Sequence, residues 1–214
     1  MDGGVLDRLK DTVLEFDKEA AETAARQALE QGIDPVQCAE VVAEALRIIG
    51  DRFAKGEVFI PELFVASRTA NAALTWIIAQ LKAQNKSLVS LGKVVIGTVF
   101  GDIHSIGKDI VSTLLFAEGF EVIDLGVNVR SEDFLKAVNQ HQPSILALSA
   151  LLTTTAMEQR HVIEGLRKAG LRDNVKVLIG GSAINLEFAD KIGADGYAAT
   201  APIGVKVARQ LVGR

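Results

Sequence analysis

Positions 101–107 read Gly101-Asp102-Ile103-His104-Ser105-Ile106-Gly107 and follow the apolar run KVVIGTVF at 93–100. The run reads as a buried strand, which places a carboxylate and an imidazole together just beyond its end. Asp102 can accept a hydrogen bond from one ring nitrogen of His104. That fixes the tautomer, raises the basicity of the other nitrogen and leaves it free for a metal. A zinc or iron ion held by protein alone needs three or more protein ligands. His141 and His161 lie in helical patterns with no partner at ligand spacing, and the single Cys38 reads as core filler in an apolar helix. A metal on His104 must therefore bring most of its own ligands, as a macrocycle does. Taken by itself, His104 reads equally well as a loop histidine that helps to cap the helix after it.

The elements that must hold this loop fall into two halves with different patterns. Residues 1–84 carry helical spacing only. Val5, Leu6, Leu9, Val13 and Leu14 mark a first helix. Asp17 is placed to cap a second, alanine-rich helix that ends at Gly32. Asp34-Pro35 starts a third that stops near Gly56, and Pro61 starts a fourth that runs past Leu81. Short turns between four helices predict a small antiparallel bundle. Residues 85–91, NKSLVSL, read as a linker. From 92 to 214 the period changes. Strands are expected at 93–100, 120–125, 144–149, 175–179 and 196–199, separated by helices near 107–118, 131–141, 154–169, 185–192 and 202–212. Such alternation predicts a doubly wound, Rossmann-like parallel sheet of flavodoxin-like order 2-1-3-4-5. The expected domains are thus a helical cap at 1–84, a linker at 85–91 and an α/β domain at 92–214.

Composition narrows the classes. The chain is 49% hydrophobic but only 5% aromatic, so its core is aliphatic. A net charge of −4 leaves no basic footprint for nucleic acid. No run of apolar residues is long enough to span a membrane, and the charged start lacks a signal-peptide pattern, so the expected setting is the cytoplasm.

Ligands of doubly wound sheets bind at the carboxyl ends of the strands, beside the point where strand order reverses. The sequence places there 101–107, then Gly126-Val127-Asn128-Val129, the run from Ser149 to Thr155, Gly180-Gly181-Ser182, and Tyr197. A dinucleotide site needs a glycine-rich turn after the first strand, and the glycine spacing here is wrong. An Asp in that turn would repel a pyrophosphate. A phosphoryl-accepting receiver needs an acidic residue at the end of the third strand, where Ser149 stands. A metal centre taking one imidazole from the protein is the third reading.

The pattern Asp102-x-His104-x-x-Gly107, then Ser149-x-Leu151, then Gly180-Gly181 resembles the cobalamin motif of base-off/His-on B12 proteins. GDRFAKGEVFIPEL at 50–63 resembles the signature of their helical cap. SALLTTTAMEQ and FADKIGADGYA are similar to segments of corrinoid methyl-carrier proteins from methylotrophic and O-demethylase-type methyltransferase systems. The resemblance spans nearly the whole chain. It implies a bound cobalamin or other corrinoid, with cobalt carrying a methyl group. A substrate-specific methyltransferase would load it, and a second would deliver it to tetrahydrofolate or a thiol acceptor. It leaves room for a reductive activase and involves no nucleic acid and no membrane.

By the same resemblance His104 is the lower axial ligand of cobalt, and Asp102 and Ser149 continue a hydrogen-bonded relay from it. Gly101, Ile103, Ser105, Ile106 and Gly107 form the ligand loop. Gly107 leaves room for the nucleotide tail, Ser149, Leu151 and Thr153 line its pocket, and Gly180, Gly181 and Tyr197 pass close to it. Phe53, Ile60 and Leu63 of the cap would cover the upper face of the corrin, although all three also read as bundle core. Ser182-Ala183-Ile184 departs from the Ala-Pro that relatives often carry after the glycine pair. Two other B12 classes remain in view. The small subunit of a carbon-skeleton mutase shares the histidine motif but usually lacks a helical cap. A B12-based sensor adds a DNA-binding helix-turn-helix, for which no segment is left over.

Overall fold

The computed structural model describes residues 3–86, 88 and 90–213. Ser87 and Val89, within the expected linker, lie outside the described residues. The chain forms two compact units, taken in turn.

The helical unit comprises α1 (Gly3–Leu14), α2 (Lys18–Glu30), α3 (Pro35–Ala54) and α4 (Ile60–Ala83). Each start has a local cause. The Asp17 carboxylate accepts from the Ala20 amide at 2.9 Å, and Asp34 accepts from Val36 at 2.9 Å ahead of Pro35. Glu62 reaches back to accept from the Phe59 amide at 2.8 Å, so α4 begins at Ile60, one residue before the proline. α2 turns Ala21, Ala24, Ala25 and Ala28 inward and packs on α4, whose Ala66, Ala70 and Ala73 are also buried. Small residues on both helices let the backbones approach. Leu9, Leu46, Ile49 and Ile77 fill the remaining space and are nearly inaccessible to solvent. Each such side chain contributes about 1.5–3 kcal/mol through burial.

The second unit holds five parallel strands: β1 (Lys93–Thr98), β2 (Glu121–Asp124), β3 (Ile145–Ser149), β4 (Lys176–Gly180) and β5 (Gly196–Ala198). Their order is β2-β1-β3-β4-β5, as the pattern predicts. The intervening helices are α5 (Ile106–Ala117), α6 (Ser131–His141), α7 (Thr153–Lys168) and α8 (Leu186–Ile192), with α9 (Ala201–Leu211) after β5. Central strands are buried on both faces. Val94, Val95, Ile145, Leu146, Val177 and Ile179 are all inaccessible, which explains runs of β-branched residues without alternation.

Register decides what meets at the edge. Thr98 pairs with Ser149, and Ser149 pairs with Gly180. Three adjacent strands therefore end level, and the segments leaving them emerge side by side. β1 lies between β2 and β3, so the loop after β1 sits where strand order reverses. The first strand is shorter than its apolar run. Beyond Thr98 only Val99 pairs, in an isolated bridge to Val129, and Phe100 turns outward ahead of Gly101, which takes φ +78°. A short 3-10 turn at Arg172–Asn174, before β4, was not expected from the sequence. A three-residue turn carries too little periodicity to read.

Candidate functional site

Asp102 organises the edge. It follows the turn at Gly101 and is almost completely buried. Its Oδ1 accepts from the His104 backbone amide at 3.0 Å and lies 2.8 Å from His104 Nδ1. Its Oδ2 accepts from the Leu151 amide and from Thr155 Oγ1, both at 2.7 Å. Burial opposes the charge on this carboxyl. The donors outweigh it, led by the His104 amide, Thr155 and the Leu151 amide, and hold its pKa well below the usual carboxylate range. Asp102 is thus an ionised, acceptor-only group at neutral pH, and the ring nitrogen facing it is the protonated one. The other nitrogen, Nε2, has no hydrogen-bond partner among the described residues, on a side chain about 48% exposed. Thr98 Oγ1 donates to the His104 carbonyl at 3.1 Å and fixes the loop from beneath.

The hydroxyl on this carboxylate belongs to Thr155. Ser149 ends β3, partly buried, and makes no hydrogen bond to Asp102 among the described residues. The sequence placed Thr155 on the edge but gave it no role. α7 starts at Thr153, so Thr153 and Thr154 face solvent while Thr155 points inward at 7% exposure. One turn further along α7, the fully buried Gln159 donates from Nε2 to the carbonyls of Leu148 (3.0 Å) and Gly180 (3.1 Å). It staples the ends of β3 and β4 and was likewise unforeseen.

The other expected residues fall in distinct places. Ile103 (74% exposed), Ile106 (51%) and Leu151 (37%) present apolar surface around the histidine, and Leu152 (44%) adds to it. Ser105 is partly buried just before α5. Gly107 faces open space: a Cβ there would meet nothing within 4 Å. Gly180 lies against β5, with the Ala198 carbonyl oxygen 3.1 Å from where its Cβ would be. Gly181 takes φ +136° and runs against the Ala150 carbonyl. Tyr197 donates its hydroxyl to the Ile184 carbonyl at 2.8 Å, which braces the segment after β4. On the helical unit, Phe53 is partly buried near the end of α3 and Ile60 is 59% exposed at the start of α4. Leu63 points into the bundle at 4% exposure, so it is core and not surface.

The donor set limits what this edge can hold. Among the described residues no three His, Cys, Asp or Glu side chains converge on one point. His104 is a lone metal donor on a sheet edge that also carries the exposed aliphatic side chains of Ile103, Ile106, Leu151 and Leu152. That suits a metal already chelated in an apolar macrocycle, and not a bare ion.

Comparison with known proteins agrees. Residues 92–205 match the B12 binding domain family, and residues 5–78 match a second B12 binding domain model. The chain is 41% identical over 198 residues to the trimethylamine corrinoid protein of Methanosarcina barkeri, covering 92% of this chain and 91% of that one. The chain belongs to the B12-binding corrinoid proteins. This corrinoid protein is also 37% identical over 209 residues to dimethylamine corrinoid protein 2 of Methanosarcina acetivorans, covering 97% of this chain and 96% of that one. Among solved structures, the methanol:cobalamin methyltransferase complex MtaBC of Methanosarcina barkeri superposes with a TM-score of 0.81 at 25% identity, covering 98% of this chain and 80% of that one. A cobalamin-binding protein from Desulfitobacterium hafniense gives 0.65 at 29%, covering 96% and 98%. The family's cofactor, a corrinoid, is the kind of ligand that the lone imidazole and aliphatic rim accept. No helix among the described residues is long and apolar enough to cross a membrane.

Proposed function

We propose that this corrinoid protein carries a methyl group between two methyltransferases, with His104 as the residue that would hold the cobalt. The observation that carries the reading is the Asp102–His104 pair. It has one ring nitrogen engaged at 2.8 Å and the other open, at the switch point of a doubly wound sheet. When bound, the corrinoid supplies a cobalt that accepts and releases the methyl group. The chain's own contribution is to hold and orient. Asp102 keeps the imidazole in one tautomer and one orientation. Thr155 and the Leu151 amide keep that carboxylate ionised and stationary. Ile103, Ile106 and Leu151 offer the exposed apolar surface that a bound corrinoid would cover. Gly107, Ser149, Thr153, Gly180 and Gly181 border the space proposed for the nucleotide tail, and Gly101, Ser105 and Tyr197 shape its loops. Phe53 and Ile60 are assigned to a cap, residues 1–84, joined by a linker at 85–91 to the B12 domain at 92–214. The proposed partners are a substrate-specific methyltransferase, an acceptor methyltransferase and a reductive activase, in the cytoplasm.

The names of the relatives favour an N-methylated amine as the methyl source. The test uses the full chain loaded with cobalamin, reduced, and mixed with trimethylamine and a trimethylamine-specific methyltransferase. Bound methylcobalamin should appear in an amount matching the protein, and should disappear when a thiol-directed methyltransferase and its acceptor are added. Cobalamin that binds but stays unmethylated with both amine-specific and methanol-specific methyltransferases would overturn the carrier reading and leave the binding site standing.

A further inference from the structure

Asn128 lies in the turn after β2 and has no part in the Asp102–Thr155 contacts. Its backbone takes φ +56°, the left-handed region that asparagine tolerates better than most residues. From there it grips the histidine loop twice. Its side-chain Oδ1 accepts from the Gly101 amide at 2.8 Å, and its own amide donates to the Asp102 carbonyl at 2.9 Å. The carboxylate of Asp102 is thus held from the β3 side by Leu151 and Thr155, while its backbone is held from the β2 side by Asn128.

The turn that carries Asn128 is itself built into the loop it holds. The Thr98 amide donates to the Gly126 carbonyl at 3.0 Å, and the Gly126 amide donates to Asp124 Oδ1 at 2.8 Å. The other oxygen of Asp124 pairs at 2.5 Å with Lys108, a buried lysine in the first turn of α5 that also bonds Asp109. Thr98 closes the circuit through its hydroxyl bond to the His104 carbonyl. Both ends of the histidine loop are therefore tied to the end of β2.

We infer that Asn128 is a positioning residue for the axial histidine, acting through the Gly101–Asp102 backbone. The inference rests on His104 being the cobalt ligand. An imidazole that is to hold a metal keeps its aim only if the carboxylate behind it stays fixed, and that carboxylate is only as fixed as the backbone beneath it.

The test compares Asn128→Gly, Asn128→Ala and Asn128→Asp in the full chain loaded with cobalamin. The readout is the ratio of His-on to His-off cobalt(II) by electron paramagnetic resonance, alongside thermal unfolding and total cobalamin bound. Glycine keeps the backbone conformation and removes the acceptor; aspartate keeps both. Loss of one hydrogen bond should lower the His-on ratio about three- to tenfold in Asn128→Gly. Asn128→Ala should fall at least as far, and Asn128→Asp should stay near the wild-type ratio, while melting temperature and total cobalamin change little in Asn128→Gly. A wild-type ratio in Asn128→Gly overturns the inference, as does an Asn128→Asp ratio as low as that of glycine. If Asn128→Ala fails to fold, the glycine and aspartate variants still decide. Absence of histidine ligation in the wild-type protein would instead remove the axial-ligand reading itself.

Discussion

His104→Ala is expected to abolish protein-derived axial ligation completely while leaving a folded protein. The fold should survive because the imidazole is about half exposed and because Asp102 keeps its other donors. Residue 104 retains its amide, and Leu151 and Thr155 still bond Oδ2. The cost in stability should be about 1 kcal/mol or less, as for substitutions away from the core. Cobalamin affinity should fall about tenfold or more, since changes to a metal's supporting residues already cost 10–100-fold. The residual binding should come from the proposed tail pocket, which the substitution does not touch. Equilibrium dialysis with cobalamin measures the affinity, and denaturant unfolding measures the stability. Added imidazole should restore nitrogen ligation in the variant, because it can occupy the space left above Asp102. Unchanged affinity and an unchanged cobalt spectrum would remove His104 from the metal.

Gly181→Ala should be the most damaging single-methyl change in the sheet domain. A Cβ at this position would penetrate the Ala150 carbonyl oxygen and lie 2.7 Å from its carbonyl carbon. The obstacle is backbone, so no rotamer change relieves it. The φ of +136° is also one that side chains rarely adopt. Nor can β3 and β4 simply part. The Ala150 amide donates to the Gly180 carbonyl at 3.1 Å, and Gln159 bonds both strand ends. Strain of this kind costs about 1–3 kcal/mol at the backbone alone, and displacement of the strand ends adds to it. Unfolding in urea should show a loss of about 2–4 kcal/mol. Cobalamin affinity should fall as well, because the displaced segment borders the proposed tail pocket. Wild-type stability in this variant would mean that the segment after β4 does not run against Ala150.

The parts of the site that were legible in the sequence are the local ones. Asp102 and His104 are two residues apart, so a turn after a strand brings them together whatever the rest of the chain does. The parallel sheet followed from five alternations of strand and helix, and the expected order 2-1-3-4-5 is one of the common arrangements of that alternation. Thr155 was hidden because it reaches Asp102 across 53 positions, through the register of β3 and the phase of α7. Three consecutive threonines could each have been the inward one, and the choice depends on where the helix starts, to within one residue. Ser149 drew the relay role from its place in the motif, whereas the contacts of the carboxylate come from Leu151 and Thr155. Asn128 was invisible for a different reason. Its role depends on a left-handed backbone that asparagine permits but does not require. On the helical unit Leu63 read as both core and surface, and the packing of α4 settles it as core.

The central claim is that His104 is the ligand to cobalt. Electron paramagnetic resonance of the cobalt(II) form tests it most directly, with cobalamin bound to protein made once with ordinary histidine and once with nitrogen-15 histidine. If His104 coordinates, the axial nitrogen splitting changes from a triplet to a doublet on labelling. A splitting that remains a triplet would show that the cofactor keeps its own base, and His104 would then be a loop histidine held by Asp102 for structural reasons alone.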